Sequence, residues 1–199
     1  MRFFSKKDRL YNIFSSIPQL ECDRLILRRM KKSDAADMYE YARDEEVTKY
    51  LLWHPHDSLE YTQQYLNYIQ TKYREGTFYD WALVLKSESK MIGTCGFTAI
   101  DTDNGCAEIG YVINPAYRGH GFACEAVSRV LDFGFNDLEM HRIEAKYIVG
   151  NEASRRVMEK CNMKFEGIAR DLMLIKGEYR DIGCCAILKS DYEMSLLPD

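Results

Sequence analysis

The chain has 199 residues, with 27 Lys and Arg against 31 Asp and Glu, which gives a formal net charge of −4. This balance argues against a dedicated nucleic-acid surface, because such surfaces are normally strongly basic. A content of 46% hydrophobic and 29% charged residues is typical of a globular protein and excludes a disordered chain.

The first half of the chain predicts an appended segment, a short strand and two helices. Residues 1–19 predict a basic and aromatic arm, and a single domain is expected over 20–199. A strand is predicted over 24–28. The first helix has a candidate N-cap at Ser33-Asp34, and the second has a candidate capping box from Asp57 to Glu60. The residues expected on the inner faces of these two helices are Ala35, Met38, Tyr39 and Ala42, then Tyr61, Tyr65, Tyr68 and Ile69.

The second half predicts strands that alternate with helices. After Gly76 the pattern changes to runs rich in β-branched and aromatic residues, separated by polar turns. A helix with an apolar stripe of Ala126, Val127, Val130 and Leu131 follows these strands. The predicted elements are strands over 78–85, 91–100 and 107–113, a helix over 122–135, a strand over 143–149, a short helix capped by Asn151, and two strands around Lys176-Gly177. This order predicts one mixed α/β domain.

The most informative segment joins a strand to a helix and reads Asn-Pro-Ala-Tyr-Arg-Gly-His-Gly-Phe-Ala over 114–123. The start of a helix offers free backbone N–H groups to an anion. Gly119 and Gly121 allow the backbone to approach a ligand, and Arg118 supplies a cation. The segment therefore predicts a pyrophosphate cradle, with a tight strand–helix connection as the alternative. It matches neither the dinucleotide fingerprint nor the P-loop, because the third glycine and the Gly-Lys-Ser/Thr ending are missing.

Residues 118–123 resemble the Arg/Gln-x-x-Gly-x-Gly/Ala signature of the GNAT (Gcn5-related) N-acetyltransferases. The chain also resembles the branch of this family that includes the ribosomal-protein N-terminal acetyltransferases (RimJ/RimL type). The further matches in family order are Asp-Arg-Leu-Ile-Leu-Arg-Arg at 23–29, Ile-Gly-Tyr-Val-Ile-Asn-Pro at 109–115, Asn-Glu-Ala-Ser at 151–154, Phe-Glu-Gly at 165–167 and Gly-Glu-Tyr-Arg-Asp at 177–181. The resemblance implies an α/β fold: a single GNAT-type domain whose mixed central sheet is splayed at the cofactor site and flanked by helices.

The resemblance also implies acetyl-CoA as co-substrate, with no metal. A bulge in the strand before the loop is expected to free backbone groups for the pantetheine arm, and a backbone N–H near Val112 is expected to stabilise the oxyanion. Asn151 is expected to contact the same arm, although a plain N-cap explains it equally well. The predicted cofactor-binding residues are Tyr111, Val112, Ile113, Arg118, Gly119, His120, Gly121, Phe122, Ala123, Asn151 and Ser154.

Acyl transfer from a thioester to an amine requires a base, because an ammonium group has no lone pair. We expect Glu108 to be this base, since the family often has a glutamate there; a surface charge is the alternative. Many relatives have a tyrosine that protonates the departing thiolate, but Met158 occupies the matching position. We therefore expect the Ser154 hydroxyl to stabilise the thiolate, with an ordinary helix-start serine as the alternative. Tyr111 and Tyr117 are weaker candidates for the proton donor.

The expected function is acetyl transfer to a primary amine by direct attack in a ternary complex. The acceptor is a protein N-terminus of the ribosomal-protein type, or a small amine or polyamine. The alternative is a regulatory CoA-binding domain without activity, which Met158 favours and which Glu108 and Ser154 oppose. His54-Pro55-His56 predicts a turn, because a third metal ligand is missing, and Trp53 lines the acceptor pocket or belongs to the core.

The seven cysteines are odd in number and include no Cys-x-x-Cys pair, which favours a reducing compartment. Charged residues interrupt the first apolar residues before they reach signal-peptide length, and no run of about eighteen apolar residues predicts a membrane span. We expect a cytoplasmic protein with neither a membrane nor a nucleic-acid partner. The C-terminal pair of strands is a candidate edge for a homodimer.

Overall fold

Seven helices and eight strands follow one another in residues 6–197, the part of the chain that the computed structural model describes. The helices are α1 (Lys6–Phe14), α2 (Ala35–Ala42), α3 (Glu45–Thr48), α4 (Leu59–Arg74), α5 (Phe122–Asn136), α6 (Glu152–Lys160) and α7 (Lys189–Ser195). The strands are β1 (Leu20–Glu21), β2 (Leu25–Arg28), β3 (Tyr79–Leu85), β4 (Lys90–Asp101), β5 (Cys106–Ile113), β6 (Arg142–Ile148), β7 (Lys164–Ile175) and β8 (Glu178–Leu188).

The strands form one sheet in the order β1-β2-β3-β4-β5-β6-β8-β7. Neighbouring strands are antiparallel except β5 and β6, which are parallel. The parallel pairing begins at Cys106 opposite Arg142 and ends at Ile109 opposite Ala145, so β5 continues for four residues without a partner on that side. The predicted mixed sheet, splayed between two parallel strands and flanked by helices, is confirmed.

Helix α5 packs against one face of this sheet. Its predicted stripe of Ala126, Val127, Val130 and Leu131 is buried. The segment predicted as an arm contains α1, whose Phe14 is fully buried and contacts the Trp81 ring edge-on at a centroid distance of 5.9 Å. Residues 6–19 thus pack against the domain, and residues 1–5 of the predicted arm lie outside the described residues.

The opposite face of the sheet carries α2 and α4. Here the two predicted caps are wrong, and the predicted inner faces are right at Ala35, Met38, Ala42 and Ile69 only. Helix α4 is capped by Ser58, which accepts from Tyr61 N–H, instead of by Asp57. The Asp34 side chain bonds to Arg28 and to Lys31 N–H instead of capping α2. The buried residues of these helices are Ala35, Met38, Tyr41 and Ala42, then Thr62, Leu66, Ile69 and Tyr73. Tyr61 and Tyr68 lie beside that buried stripe and are exposed. They were predicted to be buried because the several tyrosines of this helix form a second apolar pattern that overlaps the true one.

All seven cysteines are free thiols. In residues 6–197, no helix has both the length and the apolar character needed to cross a membrane. In the same residues, no three His, Cys, Asp or Glu side chains are grouped as metal ligands would be.

The contact between Phe14 and Trp81 predicts that α1 contributes to the stability of the domain. Phe14→Ala removes a fully buried ring and leaves a cavity, so we expect the free energy of unfolding to fall by about 3–5 kcal/mol. Asn12→Ala, on the exposed side of the same helix, is the control, and we expect it to change stability by less than about 0.5 kcal/mol. Urea denaturation measures both. Equal, small effects would show that α1 is not part of the folded unit.

Candidate active site

The splay between β5 and β6 opens into a cavity of about 470 Å³. Its walls come from the unpaired end of β5, the loop after it, and the first turns of α5 and α6. Residues of α3 and the segment after it close another side, and the Lys176 Nζ–H donates to Thr48 O at the end of α3. The predicted cofactor residues on this cavity wall are Tyr111, Val112, Ile113, Arg118, Gly119, Gly121, Phe122, Ala123, Asn151 and Ser154.

The divergence of β5 from β6, and not a bulge in β5, directs backbone groups into this cavity. The register irregularity lies in β4, at Thr98, while β5 pairs regularly with β4 from Gly110 to Ile113. Hydrogen bonds in an antiparallel ladder alternate, and Asn114 N–H donates to Ile92 O of the β4 side. The N–H of Val112 therefore also points at β4, and the N–H groups of Tyr111 and Ile113 face the opening. The N–H groups near Val112 that could act as the expected donor are therefore those of Tyr111 and Ile113, and their role in binding an oxyanion stays a prediction.

The loop at the start of α5 has the geometry of an anion site. Gly119 and Gly121 have φ values of +82° and +81°, in a backbone region that residues other than glycine rarely adopt. Gly121 is the N-cap of α5, a helix of fifteen residues, so the N–H groups of its first turn point toward the cavity end. Glu125 in this turn is neutralised by Arg24, which binds both carboxylate oxygens and leaves the helix start available to another anion.

Three basic side chains line the cavity: Arg118 of the loop, and Arg156 and Lys160 of α6. The sequence identified only the first of them, because the other two follow the Asn-Glu-Ala-Ser motif on an exposed helix face without a signature of their own. His120, which we predicted as a cofactor residue, lies outside the cavity. Its Nδ1–H donates to Arg118 O at 2.9 Å, and its ring stacks on Phe122.

The start of α6 carries a compact group of hydrogen bonds. Asn151 Oδ1 accepts from Ser154 N–H at 3.2 Å, so Asn151 is an N-cap as predicted, and its amide NH₂ remains for a ligand. The Tyr111 hydroxyl lies 2.9 Å from Ser154 O and 3.0 Å from Ser154 Oγ. Burial raises the pKa of this phenol, so it keeps its proton at neutral pH. Met158, in contrast, is a core residue that is 1% exposed.

A second cavity, of about 440 Å³, lies on the α2–α4 face of the sheet and shares Val112 with the first. Aromatic rings surround His56, whose ring centroid is 5.3 Å from that of Trp53 and 4.9 Å from that of Tyr61. Burial lowers the pKa of His56, so its imidazole is neutral at neutral pH. The residues that line this cavity include Tyr41, Trp53, His56, Asp57, Tyr61, Tyr65, Asp80, Thr94 and Val112.

One carboxyl group faces this second cavity from the sheet. Asp80 Oδ1 is shielded from solvent and has no hydrogen-bond partner among residues 6–197. Burial raises the pKa of the Asp80 carboxyl to about 7, and interactions with the Thr94 side chain and the Trp81 N–H lower it only in part. Asp80 was not predicted as a site residue, because an isolated Asp in a strand belongs to no motif. The signal that could have identified it is an acidic residue beside Trp81 in an otherwise apolar strand.

Glu108 lies outside both cavities, in a row of alternating charges on β5 and β6. Its carboxylate binds Lys146 and accepts from the Thr98 hydroxyl, and Lys146 also pairs with Glu144 at 3.0 Å. The role of Glu108 as base stays a prediction. Tyr117 lines the first cavity, but its hydroxyl donates to Glu88 at 2.6 Å and is not directed at Ser154.

Comparison with known proteins shows which family has this fold and these cavities. The model of the acetyltransferase (GNAT) domain matches residues 24–164, which carry most of both cavity walls. The N-acetyltransferase p20 of Bacillus licheniformis is 36% identical over 87% of this chain and 97% of its own length. The crystal structure of a GNAT-family acetyltransferase from Bacillus anthracis is 29% identical, with a TM-score of 0.77 over 87% of this chain and 99% of that chain.

Two more distant relatives have named acceptors. The ribosomal protein uS5-alanine N-acetyltransferase of Escherichia coli is 26% identical over 92% of this chain and 98% of its own. The spermidine N(1)-acetyltransferase of Vibrio cholerae is 25% identical over 85% and 95% of the two chains. The acceptors of these two relatives belong to different chemical classes, although the two relatives have nearly the same sequence identity to this chain.

The positive φ of Gly121 predicts that a β-branched side chain there damages anion binding. Gly121→Val imposes backbone strain of about 1–3 kcal/mol at the start of α5, so we expect CoA affinity to fall at least about tenfold, measured by isothermal titration calorimetry. Gly105→Val is the matched control, because Gly105 has φ +64° in the β4–β5 turn, at the end of β5 that is away from the cavity. Normal CoA binding by Gly121→Val would show that this loop does not hold the pyrophosphate.

Proposed function

Because the chain belongs to the GNAT family of acetyl-CoA-dependent N-acetyltransferases, we propose that its acceptor amine attacks acetyl-CoA directly, where the two cavities meet at Val112. The observation that carries this proposal is that Val112 lines both cavities. The end of the β5–β6 pairing leaves a passage between the two faces of the sheet, so two substrates can bind from opposite sides. A protein nucleophile is not needed for such a reaction.

The first cavity suits acetyl-CoA. Arg118, Arg156 and Lys160 supply positive charge for its phosphates, and the α5 start supplies N–H donors. The exposed edge of β5 at Tyr111 and Ile113 offers N–H and C=O groups to the amides of the pantetheine arm. Acetyl-CoA supplies an activated thioester. The N–H groups at this edge are the candidate donors to the oxyanion that forms during attack.

Ser154 and Tyr111 together suit the departing thiolate. The Tyr111 hydroxyl donates to Ser154 O at 2.9 Å and lies 3.0 Å from Ser154 Oγ, and this contact holds the serine hydroxyl at the cavity wall, where it can donate to the thiolate. A hydrogen bond to an anion is roughly twice as strong as one between neutral groups. The pair performs the task of the tyrosine that many relatives have at the position of Met158, and its presence opposes the alternative of a CoA-binding domain without activity.

The acceptor is an amine, and the two named relatives leave its class open between a protein N-terminus and a small amine. We place the reaction in the cytoplasm, which the seven free thiols support.

We also propose a homodimer through β7, which is an edge strand of the sheet. It carries three large apolar side chains that are more than half exposed, those of Ile168, Leu172 and Leu174.

The direct test of the proposed function is the release of free CoA thiol from acetyl-CoA in the presence of amines. The panel includes peptides with free N-termini, spermidine and small primary monoamines. We expect at least one class to accelerate thiol release, with acetylated amine identified by mass spectrometry. CoA binding without transfer to any amine would instead establish the regulatory CoA-binding domain.

The hydrogen bond between Tyr111 and Ser154 predicts graded losses in the two variants. Ser154→Ala removes the donor to the thiolate, so we expect kcat to fall by about 10- to 100-fold with little change in CoA affinity. Tyr111→Phe removes only the group that orients it, so the loss is expected to be smaller. Raising the pH should rescue neither variant, because neither residue deprotonates the amine. An unchanged kcat in Ser154→Ala would contradict this role.

A further inference from the structure

Asp80 is placed by an unusually tight pairing between β3 and β4. It lies opposite Gly96, and a Cβ at position 96 would fall 2.4 Å from Asp80 Cα and 2.8 Å from Asp80 Oδ1. The glycine therefore leaves the space that the Asp80 carboxyl occupies, and the carboxyl leans across β4. Gly96 in turn lies opposite Gly110 of β5. Asp80, Gly96 and Gly110 thus form a row across β3, β4 and β5, and no side chain stands between Asp80 and the splay at positions 96 and 110.

This row of residues ends at the point where the parallel pairing between β5 and β6 ends. Gly110 directly follows Ile109, the last β5 residue paired with β6. Asp80, Thr94 and Val112 are on one face of the sheet, because cross-strand partners and alternate residues share a face. Since neighbouring strands lie about 4.8 Å apart, a carboxyl over β4 is about one strand spacing from β5. Asp80 is therefore within a small molecule's length of the passage to the first cavity.

The remaining lining of the second cavity is neutral or aromatic. His56 is uncharged at neutral pH, and burial keeps the phenols of Tyr41 and Tyr65 protonated. Asp57 is the other carboxyl, and it is exposed at the rim. A cavity with one half-buried carboxyl among aromatic rings complements a molecule with one cationic end and an apolar body.

Building on the proposed function, we infer that the second cavity binds a small primary monoamine with an apolar chain, whose ammonium group contacts Asp80, and that Asp80 is the base that deprotonates it. Peptide N-termini and polyamines fit less well. A peptide brings backbone amides that need hydrogen-bond partners, and a polyamine brings additional charges, whereas this cavity offers one half-buried carboxyl. Asp80 Oδ1 is closed to solvent, so the ammonium would contact the carboxyl from its cavity side.

The proton and electron balance of the step is complete without another reagent. The Asp80 carboxylate takes one proton from the ammonium, and the freed lone pair forms the C–N bond with the acetyl carbonyl carbon. The C–S bond breaks with its electron pair on sulfur, and the second nitrogen proton goes to the departing thiolate. Asp80 then returns its proton to solvent. The net reaction converts ammonium and thioester into amide, thiol and one proton.

The first arm of the test measures amine binding without turnover. Calorimetry compares 2-phenylethylamine with its neutral analogue 2-phenylethanol, using the full chain and its Asp80→Asn variant. We expect Asp80→Asn to weaken amine binding at least tenfold while leaving CoA and alcohol binding unchanged. Glu60→Gln, an exposed carboxyl-to-amide change on α4, is the matched control and should bind all three as the wild type does. Equal amine affinity in Asp80→Asn and wild type would overturn the inference, even if acetyl transfer were observed.

The second arm measures the titration of Asp80 through stability. Its pKa is raised from 3.8 to about 7 in the folded chain, so the folded state holds the proton more tightly than the unfolded state. The wild type therefore loses stability as the pH rises through this window, and Asp80→Asn does not share that loss. We expect the Tm of the variant minus that of the wild type to increase from pH 4 to pH 8. A constant difference would contradict a base that titrates near neutral pH.

The other titratable groups around Asp80 come from the loop before α4, from α2, from α4 and from β4. They are His54, His56 and Asp57 of the loop, Tyr41 of α2, Tyr61, Tyr65 and Tyr73 of α4, and Cys95 of β4. These groups are common to the wild type and the variant, so the difference in Tm isolates the contribution of Asp80.

The third arm separates Asp80 from Glu108 as the base. With a transferable amine, we expect Asp80→Asn to lower kcat/KM by about 10²- to 10⁴-fold, with recovery as the pH rises because more amine arrives deprotonated. A larger, pH-rescued loss in Glu108→Gln would assign the base to Glu108 and overturn this part. If no amine is acetylated by the wild type, the proposed function fails, and the binding and stability arms still decide the inference about Asp80.

Discussion

The end of the parallel pairing between β5 and β6 is the constraint on which the rest of the site depends. Past Ile109 and Ala145 the two strands separate, so the N–H and C=O groups of Tyr111 and Ile113 have no partner strand on that side. Backbone polar groups inside a protein need hydrogen-bond partners, and the amides of a pantetheine arm can provide them. The same separation opens a passage through the sheet, which allows substrates on opposite faces to meet.

The two sides of this passage have opposite electrostatic character. On the α5–α6 side, a helix N-terminus and three basic residues favour an anionic ligand. On the α2–α4 side, Asp80 is held among aromatic rings and favours a cation. Under the proposed function, this arrangement sorts the two substrates before they react, because the carboxyl would repel phosphate groups and Arg118, Arg156 and Lys160 would repel an ammonium group. The polypeptide thus sets orientation by charge as well as by shape.

The sequence predicted the parts of the fold that depend on local pattern. Strand boundaries, the α5 stripe and the Asn151 cap agree with the structure within one or two residues. The predicted face of α2 was right except that Tyr41 is buried in place of Tyr39, whereas most of the predicted face of α4 was wrong. Tertiary packing, and not the number of aromatic residues, selects which stripe is buried. The loop and the start of α6 follow from family motifs. The bond from Tyr111 to Ser154 did not, since it joins residues 43 positions apart. The role of Asp80 did not either, since it depends on the register that places Asp80 opposite Gly96.

The measurement that tests the central claim most directly is a crystal structure of the chain with CoA and a non-reactive amine analogue bound together. We predict a pantetheine arm that enters between 110–113 and 146–148, with its sulfur within hydrogen-bond distance of Ser154 Oγ and the amine on the Asp80 side of Val112. A pantetheine arm that bypasses the splay, or an amine bound on the same face as the phosphates, would contradict the claim that the two substrates meet through the opening in the sheet.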